Sequence, residues 1–211
     1  KVKSFVENGG TFVTTYFSGM VDETDLCFTG CHPLEDVLGV IQEEIDAPSE
    51  EFENQFAYAG KEYRAQRMCE IDHAKEGTEV LSVYEREFYA GCPVVTRNQF
   101  GKGEAYYLAA ESDLAFLRAF YGDVFERTGL KNALDTELPY GVTVTERTCT
   151  DQAPADGDAE TKKNKGVVFV MNFKNDPVCV ECAGEWTDAE TGEVCRDRIE
   201  MKAFGCRVFV S

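Results

Sequence analysis

The class of fold is decided near the start of the chain, in the run Val2-Lys3-Ser4-Phe5-Val6-Glu7-Asn8-Gly9-Gly10-Thr11-Phe12-Val13-Thr14-Thr15-Tyr16-Phe17. Apolar residues at positions 2, 5 and 6 have the spacing of one helix face. Gly9 and Gly10 supply a C-terminal stop, and the residues from Thr11 to Phe17 are typical of a strand. A helix that leads directly into a strand is the second half of a βαβ unit, so the sequence predicts an α/β fold.

The strand that would begin this βαβ unit is missing from the sequence, and the first residue, Lys1, is not a methionine. We therefore expect an N-terminally truncated first domain and a chain that is a fragment of a longer protein. A closed (β/α)₈ barrel typically needs about 250 residues, whereas the whole chain has 211. We therefore do not expect this chain to carry out a reaction that requires a complete (β/α)₈ barrel.

The first predicted domain covers residues 1–132. Its first strand is followed by the loop Ser18–Pro33, and open α/β sheets bind ligands in loops at the carboxyl ends of parallel strands. This loop is therefore the first place to look for a site. The other predicted elements are a short helix over 34–40, an acidic surface connection over 43–53, a hairpin over 56–63, a strand over 78–84, a hairpin that joins 92–97 to 104–109, and a helix from its cap Asp113 to Gly129.

The second predicted domain covers residues 133–211 and begins with a linker that ends at Pro139. Short strands are predicted over 142–149, 167–173, 178–182, 186–188 and 207–210. Their close spacing around a single tryptophan, Trp186, indicates a small all-β antiparallel sandwich. The polar, lysine-rich segment 151–166 interrupts the first two strands and is predicted to be a mobile hairpin tip.

Charge and hydropathy exclude two classes of partner. The chain has 21 Lys and Arg against 39 Asp and Glu, a net charge of -18, so it repels nucleic-acid phosphates and anionic membrane surfaces. No run of roughly 18 apolar residues could span a bilayer, and residues 1–10 lack the apolar region of a signal peptide. We expect a soluble protein with neither nucleic-acid nor membrane partners.

Nine cysteines are scattered without the dense spacing of a secreted disulfide scaffold, which indicates a reducing cytoplasm. Cys179 and Cys182 have the spacing of a C-x-x-C motif. Strand positions three apart face opposite sides of a sheet, however, so we do not expect these two thiols to share a metal.

Two further pairs of residues are candidates for a catalytic or metal site. Cys69 and His73 would share a helix face, as a thiolate pair or half a metal site, but no third group accompanies them at a recognisable spacing. Cys31 and His32 are adjacent rather than facing each other. Carboxylates are abundant without a spacing that selects a pair, and Gly101-Lys102-Gly103 lies between two strands rather than before a helix. We therefore nominate no catalytic, cofactor-binding or metal-ligating residue, and no cofactor.

Specific strings carry a family resemblance. They are Ser4-Phe5-Val6-Glu7-Asn8-Gly9-Gly10-Thr11-Phe12-Val13-Thr14-Thr15-Tyr16-Phe17-Ser18-Gly19, then Val21-Asp22-Glu23 and Leu34-Glu35-Asp36-Val37-Leu38-Gly39-Val40, and then Phe88-Tyr89-Ala90-Gly91-Cys92-Pro93-Val94-Val95-Thr96-Arg97-Asn98-Gln99-Phe100-Gly101-Lys102-Gly103-Glu104-Ala105-Tyr106-Tyr107. These closely resemble the trimerisation domain of glycoside hydrolase family 42 β-galactosidases. Residues 168–208 are similar to the small C-terminal β domain of the same family.

The resemblance implies a fold, an activity and partners. The fold would be a flavodoxin-like, class I amidotransferase-like trimerisation domain followed by the small β domain. The parent enzyme would be a cytoplasmic homotrimer that hydrolyses terminal β-D-galactosides with retention, through two carboxylates on an N-terminal barrel. That barrel, which would bind the galactoside, has no counterpart in this chain. The chain itself would serve oligomer assembly and be inactive.

Two alternatives stay open at the level of sequence. One is a stand-alone binding module that holds a sugar or a partner protein with the loop Ser18–Pro33. The other is a class I amidotransferase-like enzyme. It ranks last because such an enzyme needs a nucleophilic cysteine on a strand-to-helix turn with a histidine in reach, and no cysteine is predicted at such a turn.

Overall fold

The fold was analysed in a computed structural model that describes residues 1–28, 30–49, 52–148 and 166–210. The chain divides into two units, unit 1 over residues 1–124 and unit 2 over residues 125–211. The elements of unit 1 are α1 (Val2–Glu7), β1 (Thr11–Thr15), α2 (Glu35–Leu38), β2 (Val40–Asp46), β3 (Asn54–Tyr58), β4 (Lys61–Ala74), β5 (Glu79–Val83), β6 (Pro93–Phe100), β7 (Gly103–Leu108), β8 (Ala110–Ser112) and α3 (Leu114–Thr128), whose last four residues lie in unit 2.

Unit 1 consists mostly of strands in two sheets. The first sheet has the order β1-β7-β6-β5, and the second has the order β2-β4-β3 with β8 also on β4. In the described residues β1 and β7 form the parallel pair, from Thr11 opposite Glu104 to Thr15 opposite Leu108. The predicted passage from helix to strand is thus confirmed in α1 and β1. The flavodoxin-like arrangement stays a prediction.

Two hairpins follow from local turn chemistry as predicted. Gly60 lies between β3 and β4 with φ +77°, and Gly101 lies between β6 and β7 with φ +62°. Both values fall in the left-handed region that glycine adopts without a steric penalty. The strand predicted over 78–84 is confirmed as β5, and the short helix over 34–40 as α2.

The acidic segment 43–53 was predicted as a surface connection, and its first part is instead a strand. β2 continues to Asp46 and pairs antiparallel with β4, with Ile45 opposite Glu70. Glu43 and Glu44 are both exposed on this strand. The prediction was wrong for residues 43–46 because acidic side chains can point to solvent while the backbone completes a ladder.

The main core of unit 1 is aromatic. Phe116 on α3 is 1% exposed, and its ring lies 4.9 Å from that of Phe56 and 5.4 Å from that of Tyr63, both edge-on. Burying a phenylalanine of this kind contributes about 1.5–3 kcal/mol. Helix α3 is therefore fixed on the second sheet. A smaller core lies beneath α1 and α2, around Val6, Leu38 and Tyr107.

Unit 2 contains the strands β9 (Val142–Thr148), β10 (Gly166–Asn172), β11 (Val178–Asp188), β12 (Val194–Met201) and β13 (Cys206–Val210). They form one antiparallel sheet with the order β12-β11-β13-β10-β9. The predicted sandwich is therefore wrong in its number of sheets for the described residues. A register shift between Glu181 and Glu185 in β11 marks a bulge. Bulges bend a strand, and buried residues from all five strands share one core.

Other details of unit 2 differ from the sequence prediction. The segments 178–182 and 186–188 are one strand. β12 was missed because three consecutive charged residues, 196–198, interrupt the alternation that marks a strand. The predicted linker 132–139 contributes Leu134 to the core, where it is 1% exposed. The predicted hairpin tip over 151–166 lies outside the described residues, apart from Gly166 at the start of β10. Among the described helices, none is long and apolar enough to cross a membrane.

Candidate functional site: the loop after β1 and its buried anchor

The loop that the sequence singled out leaves the end of β1, the strand that pairs in parallel with β7. The structure describes it as residues 18–28 and 30–33 and as a small closed hairpin. Val21 and Cys27 form an isolated antiparallel bridge, and the Phe28 amide donates to the Met20 carbonyl at 3.0 Å. The predicted loop therefore has a defined shape in the described residues.

Asp22 closes the tip of this hairpin. Its Oδ1 accepts hydrogen bonds from the Thr24 amide and the Thr24 hydroxyl, both at 2.7 Å, and from the Leu26 amide at 3.2 Å. These donors favour the charged carboxylate and therefore lower the pKa of Asp22. The Thr24 hydroxyl has the largest effect, followed by the amides of Thr24 and Leu26. An aspartate that bonds its own following backbone is the usual chemistry of a tight turn.

The hairpin displays apolar side chains. Val21, Leu26 and Phe28 are 44%, 66% and 36% exposed, and Phe17 at the end of β1 is 47% exposed. A short, defined loop with several exposed apolar residues can contact another protein surface more readily than it can hold a small polar ligand.

A buried carboxylate holds the start of the loop. Phe17 has φ +66°, which is costly for a residue with a side chain. Its amide donates to Oε1 of Glu70 at 2.7 Å. Glu70 lies on β4 and is 1% exposed, so a buried group holds the backbone at the turn from the strand into the loop.

Glu70 is the centre of a polar network that we call the Glu70 cluster: His32, Gln42, Glu70 and Tyr107. The Tyr107 hydroxyl donates to Oε2 of Glu70, and the Gln42 amide donates to the Tyr107 oxygen. His32 Nδ1 lies 2.7 Å from Oε1 of Gln42. Burial raises the pKa of Glu70, and the hydrogen bonds from Tyr107, Phe17 and Gln42 oppose that rise. The cluster therefore connects the loop after β1 with β2, β4 and β7 through hydrogen bonds.

A second buried carboxyl group lies two residues further along β4. Asp72 is 0% exposed, and neither of its oxygens has a hydrogen-bond partner among the described residues. Burial first and the charge of Glu70 second raise the pKa of Asp72 to about 8. Sequence analysis missed Glu70 and Asp72. The available signal was the segment Met68-Cys69-Glu70-Ile71-Asp72, where acidic residues occupy alternate positions of an apolar strand.

Two of the residue pairs that the sequence offered lie on strands, each with one member buried and the other exposed. Cys69 and His73 lie on a strand, so they do not share a helix face; Cys69 is buried and His73 is exposed beside Glu43. Burial raises the pKa of Cys69 to about 11, which disfavours a reactive thiolate. Cys179 is exposed and Cys182 is buried, so their predicted opposite orientation is confirmed. The described ranges contain no group of three or more His, Cys, Asp or Glu side chains that could hold a metal ion.

Comparison with known proteins places these features in a family. Residues 1–131 match the family model of the β-galactosidase trimerisation domain, and residues 159–211 match that of the β-galactosidase C-terminal domain. The β-galactosidase Pbg of Clostridium perfringens is 37% identical over 219 residues, which cover 99% of this chain and 30% of Pbg. BglY of Alicyclobacillus acidocaldarius is 42% identical over 221 residues, with 99% and 30% covered.

Solved structures agree with the sequence matches. Gan42B, a GH42 β-galactosidase of G. stearothermophilus, matches 100% of this chain with a TM-score of 0.82 and 33% identity, over 29% of its own length. The β-galactosidase of Bacillus circulans sp. alkalophilus matches 99% with a TM-score of 0.81 and 33% identity, over 30% of its length. The chain thus spans about 30% of the length of the relatives that it matches. With the two family models matched in order along its length, the chain belongs to the trimerisation-domain family of GH42 β-galactosidases and carries the C-terminal domain of that family after it.

Proposed function

We propose that this chain is the assembly part of a β-galactosidase and does not itself catalyse hydrolysis. The observation that carries the proposal is the match of residues 1–131 to a trimerisation domain, within an alignment to named β-galactosidases over 99% of the chain. The whole enzyme would be a homotrimer that cleaves terminal β-D-galactosides with retention. Its galactoside would bind to a barrel domain encoded outside this sequence.

The fold and the domain boundary belong to the same proposal. We propose that residues 1–132 form a flavodoxin-like trimerisation domain, followed by the C-terminal domain over 133–211. Support for the first part comes from α1, which leads directly into β1, and from the parallel pairing of β1 with β7. Right-handed βαβ units are built from parallel strands of this kind.

A cytoplasmic location is the third part of the proposal. The eight cysteines within the described residues are all free thiols, in both buried and exposed positions. Disulfides form and persist in oxidising compartments, so free thiols at this density favour a reducing one.

The two buried carboxyl groups of β4 are not placed to act on a sugar. A retaining glycosidase needs two carboxyl groups about 5–5.5 Å apart on either side of a bound sugar. Glu70 and Asp72 are 1% and 0% exposed, so neither can contact a sugar in this conformation. Both lie within the fold that supports the loop after β1.

Hydrolysis of a chromogenic β-galactoside tests the non-catalytic assignment. We expect no turnover by the purified chain above the rate of the substrate in buffer. A full-length relative such as Pbg, assayed under the same conditions, is the positive control. Turnover that copurifies with the 211-residue chain would contradict the assignment.

A further inference from the structure

Asp72 is a buried acid whose surroundings offer no compensation for a charge. It lies on β4 opposite Gln42 of β2 and is 0% exposed. Neither oxygen accepts a hydrogen bond from any described residue. The amide nitrogen of Gln42 is already directed at Tyr107 and Glu70, so the residue opposite Asp72 does not stabilise a carboxylate.

Four titratable groups of unit 1 interact electrostatically with Asp72. They are Glu70 on β4, Tyr107 on β7, Tyr84 just after β5, and Cys92 just before β6. All four are acids, and none can carry a positive charge. The nearest of them in sequence, Glu70, is itself stabilised by the Phe17 amide and the Tyr107 hydroxyl, so Glu70 is the better placed of the two carboxyl groups to hold a negative charge.

The energetic consequence follows from general electrostatics. An ionised carboxylate buried without a partner costs several kcal/mol or more, and proteins usually avoid that cost by keeping the group protonated. We propose that Asp72 is a neutral carboxylic acid at pH 7 and that its ionisation at higher pH destabilises the folded state of unit 1.

The raised pKa of Asp72 makes the folded chain less stable relative to the unfolded chain as the pH rises. The pKa of Asp72 is raised to about 8 in the folded chain, whereas an aspartate in an unfolded chain has a pKa of about 3.9. The folded state therefore holds a proton that the unfolded state has lost. This contribution to stability is fully present below about pH 4 and is lost as the pH rises to about 8, with a limiting slope of about tenfold in the folding equilibrium constant per pH unit.

The position of Asp72 connects this titration to the loop after β1. When Asp72 ionises, two negative charges lie two residues apart on one strand, and one of them anchors Phe17. Repulsion between like charges raises the free energy of this arrangement. We expect the amide of Phe17 to lose protection from hydrogen exchange over the same pH range.

Carboxyl-carbon NMR of the full chain, labelled with ¹³C at aspartate side chains, tests the proposal directly. We expect one aspartate resonance to keep its protonated chemical shift up to pH 6 and to titrate with a midpoint near 8. This measurement needs no variant. Titration of every aspartate carboxyl group below pH 5 would overturn the proposal.

Asp72→Asn provides the second test, with Asp25→Asn on the exposed loop as the matched control. Urea unfolding between pH 5 and 8 should show a fall in the folding constant, approaching tenfold per pH unit, for the natural chain and for Asp25→Asn. In the Asp72→Asn variant this part of the pH dependence of the folding constant should disappear. The aspartate resonance that titrates near pH 8 should disappear with it. Equal slopes in all three proteins would contradict the proposal, and if Asp72→Asn does not fold, the NMR titration decides alone.

Discussion

Gly103 is a position where unit 1 leaves no room for a side chain. A Cβ atom at this residue would lie 2.3 Å from the carbonyl oxygens of both Gly10 and Val6. Both contacts are backbone atoms, so no flexible side chain can move aside. Gly103 therefore permits β7 to lie directly against the end of α1 and the start of β1.

Gly103→Ala should lower the free energy of unfolding by about 1–3 kcal/mol, since overpacking forces backbone shifts of this cost. Gly122→Ala is the matched control, because Gly122 lies in α3 and its added methyl group would meet nothing within 4 Å. The control should be stabilised by about 0.5–1 kcal/mol. Urea unfolding measures both changes, and equal stability of the two variants would contradict the packing argument.

The sequence predicted that Gly103 lies at a turn, but not that its neighbours exclude a side chain. Gly101 and Gly103 flank a tight reversal, which is a feature of local sequence. The close approach to Val6 and Gly10 joins residues about a hundred positions apart, which no spacing rule contains. Glu70 and Asp72 were missed for the same reason, because their burial depends on β2 and β7 packing around β4.

Helix α3 is an element whose start could be predicted well. Asp113 accepts a hydrogen bond at Oδ1 from the Phe116 amide at 2.9 Å, which satisfies one of the free amides at the helix N-terminus. Phe116 and Phe120 then enter the aromatic core on successive turns. The cap and the apolar spacing are both local, so sequence alone was sufficient.

Asp113→Ala should lower the free energy of unfolding by about 1 kcal/mol, because it removes the cap acceptor. Asp113→Ser retains an acceptor oxygen and should keep most of the natural stability. Thermal unfolding followed by circular dichroism compares the three proteins. A loss in Asp113→Ser as large as that in Asp113→Ala would show that the carboxylate acts in some way other than capping.

Strands were harder to predict than this helix where their exposed faces are charged. β2 combines the buried Val40 with acidic residues, and β12 combines buried apolar residues with acidic and basic ones. Both strands were missed in whole or in part. The hairpins β3–β4 and β6–β7 were found because glycines mark their turns. A strand that is stabilised by a distant neighbour, as β2 is by β4, leaves a weaker local signal.

At the scale of the whole molecule, family membership could be predicted from sequence, whereas sheet arrangement could not. The strings of residues 4–19 and 88–107 sufficed for the family, and the match over 1–131 confirms it. The single sheet of unit 2 depends on which distant strands pair. The short strands predicted there are equally compatible with two facing sheets, and the bulge in β11 carries no distinctive residue pattern.

Self-association must also overcome charge. Each copy carries a net charge of -18, and like charges on assembling copies repel one another unless salt screens them. An assembly module of this composition therefore needs apolar contacts between copies. Exposed apolar residues are present on unit 1, including Val21 and Leu26 on the loop after β1.

Sedimentation equilibrium of the purified chain in about 0.15 M salt, where the screening length is about 8 Å, tests the assembly role most directly. One copy has a mass of 23.6 kDa. We expect a species of three copies, about 71 kDa (three times 23.6 kDa), that dissociates on dilution. A mass of 23.6 kDa at every concentration up to the limit of solubility would contradict it.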